Sequence, residues 1–135
     1  MNGEIEKGIR PVCDALNAIS GVRTLWSCEG HPHRPSRPYV VFEAPEIVAL
    51  GIHRALGLGD GGGTLVYCWW LTANFRDNGQ LQWCIEPNCR IPRWRYLPVA
   101  RRAVDAELLR LAAVIRIQNA GEESMSAEAS APEFK

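Results

Sequence analysis

The stretch TLVYCWWLTANFRDNGQLQWCIE, residues 64–86, decides the fold, because two apolar runs meet there at a turn whose register sets every facing pair. A two-residue Asn78-Gly79 turn sets Phe75 against Gln82 and Leu71 against Glu86, which mixes apolar and polar side chains on one face. A three-residue loop with Gly79 left-handed instead sets Phe75 against Leu81, Ala73 against Trp83 and Leu71 against Ile85. Asn74 then faces Gln82 and Thr72 faces Cys84 on the opposite side. Only this second register separates the faces, and it predicts an antiparallel hairpin of Thr64–Phe75 with Gln80–Glu86. Trp69 and Trp70 alternate across the strand, so one belongs to the core. The other needs a helix, a partner or a second copy in a homodimer over it.

Outward from the hairpin the periodicity changes. Ile5, Ile9, Val12, Leu16 and Ile19 mark one helical face, with Pro11 near the start of the regular helix and Gly21 beyond its end. Val22–Ser27 and Tyr39–Glu43 read as strands on either side of CEGHPHRPSRP, residues 28–38, whose three prolines forbid regular structure. Pro45 opens a second helix with Ile47, Val48, Leu50, Ile52 and Leu56, ending at Gly57. The stretch GLGDGGG that follows has neither the lysine nor the helix start of a phosphate-binding loop and reads as a linker. Pro98 opens a third helix carrying Val104, Leu108, Leu111 and Ile115, which Gly121 is expected to stop. The expectation is an α+β domain over residues 1–120: one four-stranded, largely antiparallel sheet covered by helices, in the order α-β-β-α-β-β-α. Residues 121–135, small, polar and acidic, are expected to form a disordered tail.

With 135 residues, 47% of them hydrophobic, the chain has room for one core and not two. No run has the roughly 18 to 20 apolar residues of a membrane span, and MNGEIEKGIR has no apolar signal core, so a soluble, cytoplasmic chain with no membrane partner is expected. Five cysteines without a CxxC pair read as thiols or ligands rather than as a disulfide framework. The net charge of zero conceals two parts. Residues 1–120 hold fourteen basic and eleven acidic residues, whereas residues 121–135 hold four acidic and one basic. Neutrality therefore does not exclude an anionic partner.

The densest reactive cluster is Ser27-Cys28-Glu29-Gly30-His31, followed by His33, Arg34 and Arg37. A strand running into a glycine turn fixes such groups while leaving them accessible. As a metal site, Cys28 and His31 in C-x-x-H spacing would be completed by His33 or Cys89. As a nucleophile, Cys28 would be activated by His31 with Glu29 orienting the ring. In the plainest reading Cys28 is a small buried hydrophobe, Gly30 makes the turn and the histidines lie on the surface.

The segments Leu16-Asn17, Gly21-Val22-Arg23-Thr24 and Ser27-Cys28-Glu29-Gly30-His31 resemble the start of the wybutosine-synthesis tRNA methyltransferase family, a helix followed by a strand ending in a Ser-Cys-x-Gly-basic turn. They are equally similar to short uncharacterised phage and mobile-element proteins with a G-[VI]-[RK]-T-x-x-S-C-x-G-H signature. Asn74–Gly79 is similar to a Gly-Phe-Arg-Asn-Ser-Gly stretch of the methyltransferases. The methyltransferase resemblance implies an S-adenosylmethionine-dependent, RNA-modifying protein with a substrate- or phosphate-contacting site at Ser27, Cys28, Gly30 and His31. The phage resemblance implies no known activity.

Residues 90–102, RIPRWRYLPVARR, add five arginines and two aromatics with no acid. Arg93-Trp94-Arg95-Tyr96 alternates charge with stacking surface, a pattern of single-strand nucleic-acid binders, and Arg forks suit phosphate. In the plain alternative Trp94 and Leu97 pin the linker to the core. The leading expectation is a non-catalytic binding or accessory protein of phage or mobile-element type, without a cofactor. It would modulate or inhibit a host nucleoprotein machine through Ser27–Arg37 together with Arg90, Arg93, Trp94, Arg95, Arg101 and Arg102. The alternatives are the methyltransferase-like protein and a small zinc-binding domain.

Overall fold

The structure, a computed structural model, describes residues 4–33, 37–57 and 65–129. Its elements are α1 (Arg10–Asn17), β1 (Arg23–Cys28), β2 (Tyr39–Glu43), α2 (Glu46–Ala55), β3 (Trp69–Phe75), β4 (Leu81–Pro87), a 3-10 turn at Arg93–Tyr96 and α3 (Arg102–Ala129). The strands form one antiparallel sheet in the order β1-β2-β4-β3. The predicted α-β-β-α-β-β-α architecture is therefore the observed one. No helix among the described residues is long and apolar enough to cross a membrane.

The hairpin takes the register that separates its faces. Phe75 pairs with Leu81, Ala73 with Trp83, Leu71 with Ile85, Asn74 with Gln82 and Thr72 with Cys84. Gly79 closes the loop at φ +85°. One sheet face contributes Val40, Phe42, Trp69 and Ile85 to a core completed by Val12 and Leu16 of α1, Ile52 of α2, and Leu108, Leu111 and Ile115 of α3. The helices do not reach the hairpin tip, so Phe75 and Leu81 remain exposed at the end of the apolar row. On the other face Trp26, Val41, Cys84 and Thr72 form a row across all four strands, after a bulge at Leu25. Of the tryptophan pair, Trp69 is the core residue at 1% exposure and Trp70 is the outward one.

Several boundaries differ from expectation for identifiable reasons. The third strand begins at Trp69 rather than Thr64, which lies outside the described residues. The N–H groups of Val66 and Tyr67 are taken by the Glu107 carboxylate instead of by a strand ladder. In α2 the inward face runs through Ala49, Ile52 and Leu56, while Ile47 and Leu50 point outward. The chain makes a helical turn after Pro98, with Arg101 N–H bonded to the Leu97 carbonyl, before α3 proper begins at Arg102. Gly121 does not stop α3, so the acidic tail expected to be disordered is helical as far as Ala129. One glycine in a helix costs about 1 kcal/mol, and the Glu-, Met- and Ala-rich run beyond it is made of good helix formers.

Candidate functional site

Cys28 ends β1 in a pair with Tyr39 of β2, and the chain then turns through Gly30 at φ +91°. The Gly30 N–H donates to Cys28 Sγ at 3.4 Å. His31 emerges from this turn with Nε2 2.8 Å from Glu6 Oε2, in the segment that leads into α1. The second Glu6 oxygen accepts the Glu29 N–H at 2.9 Å, and the Glu29 carboxylate in turn accepts the Gly8 N–H at 2.7 Å. Two short backbone segments are thus laced together by two carboxylates. Donor atoms of Glu6, Cys28 and His31 all lie within 4.8 Å of one another.

The other side of the turn is held by the basic segment. Tyr96 lies against Gly30, so closely that a Cβ there would stand 2.6 Å from Tyr96 Cε1. Arg101 donates to the Gly30 carbonyl at 2.8 Å and to the Glu29 carbonyl at 2.6 Å, while its Nε bonds Asp105 at 3.0 Å. Arg37 donates to the Pro87 carbonyl at 3.2 Å and pairs with Glu86 at 2.9 Å. The Tyr96 and Arg101 contacts bring the Glu29–Gly30 turn against the Arg90–Arg102 segment, an adjacency that spacing along the chain does not reveal.

The candidate residues divide accordingly. Arg90, Arg93 and Arg102 are exposed, as is Trp94, over whose ring the Arg95 guanidinium stacks at 4.5 Å. Arg101 turns inward as a clamp on the Glu29–Gly30 backbone. Ser27 faces the helices and hydrogen-bonds the Cys13 thiol, which burial pushes above its ordinary pKa. His33 is exposed, with its ring centroid 5.8 Å from that of His31. Arg34 lies outside the described residues. Among the described residues the cluster of metal-ligating atoms joins Cys28 and His31 to Glu6, not to His33 or Cys89. Glu29, expected to orient His31, is engaged with Gly8 and lies 3.8 Å from Arg101, and Glu6 takes the imidazole instead. No pattern in the sequence marks Glu6, because only the return of the N-terminal segment to the turn brings it there.

Tyr96 completes the site in an unusual way, since its hydroxyl is buried with no hydrogen-bond partner among the described residues. Burial, with Tyr67 nearby, pushes its phenol from 10.0 up to about 12. On the sheet, burial followed by the neighbouring Glu86 pushes the Cys84 thiol from 9.0 up to about 12. The fold holds both groups neutral, so their contribution is full below the unfolded values and is lost as pH rises through the folded ones. The urea midpoint is therefore expected to fall from about pH 9 upward, first through Cys84 and above about pH 10 also through Tyr96. Tyr96→Phe should flatten the upper part of this decline and, at neutral pH, leave stability unchanged or raise it by about 1 kcal/mol, because it removes an unpaired buried hydroxyl. A clear loss at neutral pH would show that the hydroxyl has a partner.

Compared with known proteins, the chain matches no protein-family model, no curated protein and no solved structure.

Proposed function

We propose that this chain is a non-catalytic binding protein. Its contact surface joins the Cys28–Arg37 turn to the outer side of Arg90–Arg102, and its partner is an anionic nucleoprotein assembly. The observation that carries this reading is the packing of Tyr96 on Gly30 together with the Arg101 clamp on the Glu29 and Gly30 carbonyls. That packing holds the 3-10 turn rigidly while Arg93, Trp94 and Arg95 remain on its outer side. Leu97 and Val99 extend the exposed apolar part of the same segment. Arginine beside exposed tryptophan is the commonest composition of energetic anchors at interfaces, and the guanidinium fork also suits phosphate. Residues 16–31 resemble short phage and mobile-element proteins, a class that includes modulators of host machines, and an accessory role of that kind fits a non-catalytic contact surface.

The test is capture of a partner from host lysate by the tagged chain, with and without nuclease, followed by affinity measurement on the identified partner. Arg93→Ala combined with Trp94→Ala should weaken binding by about 2 kcal/mol or more, roughly thirty-fold, without changing the fold. Unchanged capture by the double variant would remove this surface from consideration. The methyltransferase-like reading separates in the same preparation. Added S-adenosylmethionine should leave the melting temperature unmoved, whereas a bound cofactor at a hundred times its Kd would stabilise by about 2.7 kcal/mol.

A further inference from the structure

We propose that Glu6, Cys28 and His31 form a divalent-metal site of the zinc type, with three protein ligands and a fourth position open to solvent. The inference stands on its own geometry and does not depend on the partner proposed above. The three donors come from two segments, the lead-in to α1 and the turn after β1, and their ligating atoms lie within 4.8 Å of one another. Zinc holds sulfur at about 2.3 Å and nitrogen or oxygen at about 2.0 Å, which sets tetrahedral ligand atoms roughly 3.3 to 3.6 Å apart. Cys28 Sγ therefore needs to close on the other two by no more than about 1 Å, while Glu6 Oε2 and His31 Nε2, now paired at 2.8 Å, open by about 0.5 Å as the ion replaces the proton between them.

The surroundings already have the form of a ligand shell. The Gly30 N–H is directed at Cys28 Sγ at 3.4 Å and fixes the position of the sulfur. One Glu6 oxygen is fixed by the Glu29 N–H, which leaves Oε2 to face His31. Such bonds to the ligands themselves orient a first coordination sphere. The turn is held from behind by Arg101, whose own charge is matched by Asp105 and Glu29, so the guanidinium is not an uncompensated cation beside the site.

Chemistry selects the metal. A thiolate, an imidazole and a carboxylate form a mixed soft and borderline set that suits zinc, and cobalt as its probe, rather than magnesium or calcium. With a neutral imidazole, the thiolate and carboxylate neutralise a divalent ion, so the charge cost of burying it beside Cys28 is small. His31 and Glu6 are both partly exposed, which leaves one side of the cluster open to water or to an exogenous donor. A bound ion would tie the segment around residue 6 to the Gly30 turn and so stiffen the base on which Tyr96 rests.

The experiment is titration of the reduced full-length chain with cobalt(II), read by absorption. The expected result is one equivalent bound, with a near-ultraviolet sulfur-to-cobalt charge-transfer band and the visible bands of four-coordinate cobalt, both bleached by added zinc. Cys28→Ser should abolish the charge-transfer band. Glu6→Gln and His31→Gln alter partly exposed side chains, and circular dichroism will show that they still fold. Each should weaken cobalt binding by more than the roughly tenfold typical of a change outside the ligand shell. Cys68→Ser and Cys89→Ser should leave spectrum and affinity unchanged. No charge-transfer band at excess cobalt overturns the proposal. So does a band that survives Cys28→Ser, or wild-type affinity in both folded ligand variants.

Discussion

Glu107→Ala is expected to cost the fold about 3 to 5 kcal/mol, from buried donors left without an acceptor and from the volume vacated, and to lower the melting temperature by roughly 10 °C or more. Glu107 sits on α3 with no exposed surface, at a point where the helix faces the approach to β3. Its carboxylate accepts the Tyr67 N–H at 2.7 Å, the Val66 N–H at 3.2 Å and the Trp69 indole N–H at 3.0 Å. Arg110, one turn further along the helix, supplies the balancing charge at 3.0 Å. Truncation frees Arg110 to rehydrate, because that side chain is partly exposed, but it strands the indole N–H of a tryptophan at 1% exposure. Each stranded buried donor costs about 1 to 3 kcal/mol, and the vacated volume adds to that. Glu107→Gln should not rescue fully, since every partner is a donor and the new amide nitrogen would face one of them. Urea unfolding with an unchanged m-value measures the loss. A cost below about 1 kcal/mol for Glu107→Ala would mean that the latch contributes nothing beyond a solvated pair.

That latch also shows where reading the chain succeeds and where it stops. The hairpin was legible because only one register keeps Leu71, Ile85, Ala73 and Trp83 on one face, and alternation is a local property. The stripe of Val104, Leu108, Leu111 and Ile115 was legible for the same reason, and all four residues are buried. The start of β3 was not legible, because the carboxylate that captures the Tyr67 N–H lies forty residues away. The end of α3 is not marked by Gly121, because the residues beyond that glycine continue to favour helix and outweigh its local cost. At the candidate site the turn itself could be read from Cys28 to His31. Its partners could not, since Glu6 and Arg101 reach it from opposite directions along the chain and are marked by no spacing. Arg101 in particular looks like one more surface arginine until its 2.6 Å bond to the Glu29 carbonyl, across 72 residues, places it inside.

Gly30→Ala should be the second most damaging change, and it tests whether the turn and the basic segment form one unit. Gly30 carries φ +91°, where an L side chain costs about 1 to 3 kcal/mol of backbone strain. The new methyl would also stand 2.6 Å from Tyr96 Cε1 and 2.9 Å from Cδ1, distances at which something must move. Tyr96 is 5% exposed, so it cannot swing aside without lifting the Arg93–Tyr96 turn. Overpacking of this kind adds about 1 to 3 kcal/mol. Gly79→Ala provides the comparison, because Gly79 has φ +85° but no atom within 4 Å of its added methyl, and so it pays for strain alone. The excess cost at position 30 is therefore the steric price of the Tyr96 contact. Tyr96→Leu in the Gly30→Ala background should recover part of that excess, giving a coupling of about 0.5 to 3 kcal/mol in a double-mutant cycle. If Gly30→Ala costs no more than Gly79→Ala and the cycle shows no coupling, the basic segment is not braced by the turn. Arg93 and Trp94 would then have no rigid base from which to bind.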